Sequence, residues 1–213
     1  MGSSPDDDPA TRDPQTMLDL LENERIRTAQ ALDPDPRLIY GSWGLAWTVG
    51  FLLLWSAARG GPLDLPLGVA GALFGACLLG AVVVTVVHIG RRASGIRGVS
   101  SRVGAMYGWA WLLAFVCLAV VLTGADRAGL PDSTRGLLWS TLSGLVVGTL
   151  YLAGGALWQD GVQYGLGLWI LVASAAGSLA GYPGAHLTMA VCGGGGFLLA
   201  ATYYTVRGRR GPA

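Results

Sequence analysis

The chain of 213 residues is 52% hydrophobic and only 13% charged, about half the charged share of an ordinary soluble domain, which excludes a water-soluble globule and points to an integral membrane protein. Its formal net charge is +1 and its arginines sit in short clusters at the ends of apolar runs, so no basic stripe exists for nucleic acid. All 14 basic residues are arginine, and Ala, Gly, Val and Leu dominate the rest. This is the usage that GC-rich codons favour, and a bacterial source is the expectation.

Residues 1–12 are acidic and rich in Ser and Pro, and are expected to form a disordered tail. Residues 13–37 read as a cytoplasmic amphipathic helix followed by a Pro-rich elbow. Asp13-Pro14 pairs an N-cap with a first-turn proline, and Asp33-Pro34 ends the helix. Between them Asp19, Glu22 and Glu24 come early and Arg25 and Arg27 late, in the order the helix dipole favours. Two roles stay open for Met17 to Leu32: an interfacial helix resting on the bilayer or on its own bundle, and a docking helix for a cytoplasmic protein partner. "DPDPR", Asp33 to Arg37, makes an extended elbow, because a residue before proline is pushed out of the helical region. No short apolar core follows a basic start, so no cleavable signal peptide is expected.

Residues 38–206 contain uncharged apolar windows long enough to cross a hydrocarbon core as helices. The windows run about 38–58, 65–90, 103–125, 136–159, 162–181 and 185–206, the last two divided by the turn Gly181-Tyr182-Pro183-Gly184. The fold class is therefore all-α: a polytopic bundle of six transmembrane helices behind a short amphipathic helix, with 207–213 as a basic cytoplasmic tail. If both termini face the cytoplasm, that side holds 11 of the arginines and the other side only Arg59, Arg127 and Arg135. Positive loops stay inside, so a multi-pass protein of the bacterial plasma membrane with both termini cytoplasmic is expected. Trp43, Trp55, Tyr107, Trp109, Trp139, Trp158, Tyr164, Tyr182, Tyr203 and Tyr204 lie near span ends, as an aromatic belt would. Tyr40-Gly41, Tyr107-Gly108 and Tyr164-Gly165, each ahead of a tryptophan, hint at a threefold hairpin repeat.

Small residues four apart recur along the spans and predict close helix packing: Gly71 with Gly75, Gly104 with Gly108, Gly144 with Gly148, Ala173 with Gly177 and Gly181, and Thr188, Cys192, Gly196 and Ala200. The sixth span carries "AVCGGGGFLL", with Gly193, Gly194, Gly195 and Gly196 near its middle. Four glycines soften a helix. Close packing explains them, and the competing reading is an unwound midplane segment whose backbone lines a substrate path together with Thr188.

The remaining chemistry is sparse. Cys77, Cys117 and Cys192 lie inside apolar runs and form no disulfide framework. His186, Met189 and Cys192, three apart on one helix, are ligand types that suit copper, yet they are a weak set; neither a metal nor a cofactor is expected. His88 and His186 belong to opposite membrane faces. No ionisable residue occupies a span interior, which weighs against proton-coupled transport. Asp160, between Gln159 and Gln163, reads as a solvated turn residue. No His-Glu-x-x-His helix occurs and the serines have no base at matching depth, so the chain is not expected to be an enzyme. The function read from these features is transport-type, a small permease or the membrane subunit of a transporter. The alternative is a non-transporting anchor, sensor or regulator acting through its N-terminal helix, and a homo-oligomer is compatible with either.

Overall fold

The computed structural model describes residues 15, 17–20, 35–61, 65–93 and 99–209, and all its regular elements are helical. In chain order they are α1 (Pro36–Ala58), α2 (Leu67–Ala93), α3 (Val99–Arg127), α4 (Asp132–Trp158) and α5 (Gly161–Ala180). The sixth span joins α6 (Gly184–Thr188), a π-helical turn (Met189–Gly194) and α7 (Gly195–Arg209). Six helices are long and apolar enough to cross a membrane, and the chain is an integral membrane protein built as a six-helix bundle. The tail 1–12, the basic end 210–213 and most of the N-terminal helix lie outside the described residues; Met17 to Leu20 are helical and exposed.

Helix ends follow local chemistry. Asp35 is the extended N-cap of α1, accepting a hydrogen bond from the Arg37 backbone N–H at 3.0 Å, with Pro36 at the first helical position. Its own N–H donates to His88 Nε2 at 2.8 Å, which ties the start of α1 to the end of α2. The Arg37 guanidinium bonded to Asp35 holds that carboxyl below its ordinary value. A depressed carboxyl contributes at neutral pH, and its contribution is lost as pH falls through the lowered value. Asp160 caps α5, its Oδ1 accepting from Val162 N at 2.9 Å and Gln163 N at 3.1 Å. α4 begins at Asp132, ahead of the uncharged window, where Arg135 forms ion pairs with Asp126 at 2.6 Å and Asp132 at 2.8 Å.

The six spans are not equivalent. In the most apolar stretch of each, 33% of residues are buried in α1, α4 and α5 and 44% in the sixth span, against 11% in α2 and 6% in α3. α2 leans on α1, and α3 leans on α4. α1 and α2 have no helix packing with α3, α4 or α5 beyond isolated contacts such as Tyr40 with Tyr151. The bundle thus divides into a two-helix half and a three-helix half, and the sixth span packs on both.

Glycine makes the tightest contacts within the three-helix half. A Cβ on Gly167 would lie 2.6 Å from Leu152 N and 2.8 Å from the Gly148 carbonyl oxygen, and one on Gly155 would lie 2.5 Å from Tyr164 N. Gly144 faces Ser174 and Met189, Gly148 faces Leu171, and Gly177 approaches Ala185. The packing expectation fails at Gly71 and Gly75, and likewise at Gly104 and Gly108. No atom comes within 4 Å of a Cβ built on any of these, because α2 and α3 each have one helical neighbour and turn these residues away from it.

Replacing Gly167 with Ala drives a methyl into main-chain atoms and is expected to cost on the order of 1–3 kcal/mol. Gly75→Ala meets open space, and its better helix propensity is worth up to about 1 kcal/mol. Thermal midpoints in detergent should therefore fall for the first variant and hold or rise for the second.

The seam at the sixth span and the polar clusters beside it

The glycine run is a contact surface on two sides. A Cβ on Gly193 would fall 2.8 Å from the Trp47 ring, one on Gly194 2.7 Å from Thr48 N, and one on Gly196 2.6 Å from Trp169. Gly195 has nothing within 4 Å. α1 and α5 therefore approach the sixth span where it carries no side chains, the arrangement that van der Waals packing between membrane helices rewards. The backbone does not unwind here. It widens into a π-helical turn within a continuous helix, so the competing reading of an unwound segment does not describe this backbone. A π turn replaces i→i+4 bonds with i→i+5 bonds. Two carbonyls of this turn receive side-chain donors from opposite halves: Thr48 Oγ1 of α1 reaches the Ala190 carbonyl at 3.5 Å, and Trp169 Nε1 of α5 donates to the Cys192 carbonyl at 2.8 Å. Thr188 donates back to the Gly184 carbonyl at 3.1 Å.

Nearer the start of the sixth span lies a buried polar cluster of Ser140, Thr141, Ser174 and His186. Ser140 Oγ sits 2.9 Å from the Gly136 carbonyl oxygen and 2.8 Å from His186 Nδ1. A hydroxyl has one proton, so the arrangement that satisfies both contacts has Ser140 donating to the carbonyl and accepting from Nδ1–H. An imidazole does lie at the depth of Ser140, contrary to expectation, and in this arrangement it donates to the hydroxyl and takes no proton from it. Ser140 and His186 both lie near the starts of spans that run in the same direction, which was the signal available. Thr141 and Ser174 donate to the Leu137 and Ile170 carbonyls of their own helices, at 2.9 and 2.8 Å. His186, Met189 and Cys192 do not converge: Nδ1 is committed to Ser140, Met189 is fully buried, Cys192 is partly exposed, and the π turn breaks the three-residue register. Among the described residues no three His, Cys, Asp or Glu side chains could hold a metal ion.

A second cluster lies at the arginine-rich end, where both halves and the sixth span meet. Tyr40 of α1 stacks on Tyr204 of α7 with ring centroids 5.8 Å apart and sits 6.4 Å from Tyr151 of α4. Tyr107 of α3 donates its hydroxyl to the Leu150 carbonyl at 2.5 Å. The hydroxyl of Tyr204 reaches Asp160 Oδ1 at 3.4 Å. Tyr40 and Tyr151 are buried, at 6% and 8% exposure, although a tyrosine near a span end reads in sequence as a headgroup anchor. Trp109 and Tyr203, at 61% and 47%, do face outward. The Tyr-Gly recurrence has no common environment: Tyr40 is buried, Tyr107 half-buried and Tyr164 exposed.

Comparison with family models, with curated proteins and with solved structures finds no match to this chain. Its site is therefore defined by its own geometry.

Trp169→Phe keeps the ring beside Gly196 and deletes the donor to the Cys192 carbonyl. An interhelical hydrogen bond in a membrane protein contributes about 0.6–2 kcal/mol. The variant should show a lower thermal midpoint and faster amide exchange over residues 193–197 in lipid nanodiscs, while exchange in α2 stays unchanged.

Proposed function

We propose that this protein is transport-type, a small permease or the membrane subunit of a transporter, whose two halves move against each other on the sixth span. The observation that carries the reading is the division of the bundle: α1 with α2 on one side, α3 to α5 on the other, and a glycine-rich π-helical seam between them. Alternating access needs such an articulation, and π turns recur at functional sites because their hydrogen bonding is easily rearranged. Thr48 and Trp169 bond two carbonyls of the π turn from opposite halves, so relative motion of the halves must exchange those bonds.

The same reading places the chain in a bacterial plasma membrane with both termini in the cytoplasm, on the strength of 11 arginines against 3. It assigns no catalytic residue: the Ser140 hydroxyl is oriented by its own helix as well as by His186, and both side chains are buried. The segment Met17 to Leu32 is left as the docking element for a cytoplasmic partner, and self-association is compatible with the open faces of α2 and α3. Reporter fusions after Arg59 and Arg127 should be active on the far side of the membrane, and fusions after Gly98 and Gln159 inactive there. The reverse pattern would reject this orientation.

The articulation is tested by spin-label distances in liposomes on a cysteine-free background. A pair spanning the halves, Val83→Cys with Leu145→Cys, should give a broad or two-peaked distribution. A pair inside one half, Leu145→Cys with Val172→Cys, should give a single narrow one. Narrow distributions from both pairs, together with no solute flux above empty liposomes, would overturn the reading.

A further inference from the structure

We infer that the tyrosine cluster at the arginine-rich end is a recognition site for a small organic ammonium cation, a substrate class that rests on the transport reading above. Three hydroxyphenyl rings from three elements meet there, Tyr40 of α1 against Tyr151 of α4 and Tyr204 of α7, and the Tyr107 hydroxyl of α3 bonds the Leu150 carbonyl one residue before Tyr151. The ring face of an aromatic attracts a cation within about 6 Å, and grouped rings are the usual cage for alkylated ammonium. Tyr40 comes from one half, Tyr107 and Tyr151 from the other, and Tyr204 from the seam. Parting the halves therefore opens the cage, and in the present conformation the rings fill it themselves.

Two further observations favour a cation over a neutral or anionic ligand. Asp160 is the sole carboxylate side chain in the sequence beyond Asp132, and it stands at this cluster. Its Oδ1 accepts from Val162 N, Gln163 N and the Tyr204 hydroxyl, while its Oδ2 receives no hydrogen bond from the described residues. A spare carboxylate oxygen beside aromatic faces supplies the charge partner that a desolvated ammonium needs. The nearby cation is turned away: Arg207 donates to the Tyr203 hydroxyl at 3.1 Å on the exposed face of α7.

The test is calorimetric titration of the full chain in nanodiscs with choline as probe and 3,3-dimethylbutanol as its uncharged isostere. Choline should bind saturably and the isostere at least about tenfold more weakly, the discrimination that a cation–π cage provides. Asp160→Asn retains an N-cap for α5, because Asn caps as well as Asp, and removes the charge; it should weaken choline binding about tenfold with little change in thermal midpoint. Tyr40→Leu should weaken it similarly, whereas Tyr151→Phe, which keeps the ring, should stay within about twofold. No saturable choline binding, equal binding of the isostere, or wild-type affinity in Asp160→Asn would each overturn the proposal. If choline fails to bind while the spin-label distances show mobile halves, the site assignment alone falls. Should choline bind while the halves are rigid and no solute crosses, the transport reading falls and the cation site stands.

Discussion

The close approach of α1 and α5 to the sixth span holds this bundle together. Trp47 and Thr48 press on Gly193 and Gly194 from one side, and Trp169 presses on Gly196 from the other. In a bilayer the surrounding lipid tails are as apolar as leucine, so burial alone does not draw helices together, and dispersion between well-fitted surfaces must. Removing side chains from the sixth span brings two tryptophans against its backbone at once. α2 and α3 are secondary to this contact, since each is secured to a helix that the seam has already positioned.

Aromatic packing carries that order outward. Phe74 of α2 lies 4.7 Å from Phe51, Phe51 is 5.6 Å from Trp47, and Trp47 is 5.3 Å from Phe197 of α7. Phe197 is 5.4 Å from Tyr151, which is 5.8 Å from Trp111 of α3. These ring contacts run unbroken from one peripheral helix to the other through the fully buried Phe197. Edge-to-face and tilted aromatic pairs contribute beyond their buried area. They let two halves with almost no direct helix packing share one core, and they end at the tyrosine cluster where the proposed ligand site lies. Polar side chains fix register rather than add bulk stability: Trp43 Nε1 donates to Thr85 at 3.0 Å between α1 and α2, and Asp35 N–H to His88 at 2.8 Å.

Much of the architecture is legible in the chain, because membrane spans obey a length and polarity constraint that needs no partner to evaluate. The turn at Gly181 to Gly184 divides the 46 uncharged residues at the point where α5 ends and α6 begins. The site is far less legible. Gly71 with Gly75 and Gly144 with Gly148 share one spacing, yet the first pair faces away from the bundle and the second lies in the tight contact with α5. Spacing reports which residues share a helix face and is silent on what that face meets. His186 and Ser140, 46 positions apart, become bonded through the parallel course of α4 and the sixth span.

Composition and charge thus determine by themselves that this is a six-span helical membrane protein, because the cost of unsatisfied backbone in hydrocarbon leaves few alternatives. The tertiary structure decides which helices are central, which glycines are contact points, that a π turn leads into the glycine run, and that Tyr40, Tyr151 and Tyr204 pack together with Asp160 beside Tyr204. Those outcomes depend on the rotation and partner of each helix, and van der Waals fit selects them from faces that look nearly alike in sequence.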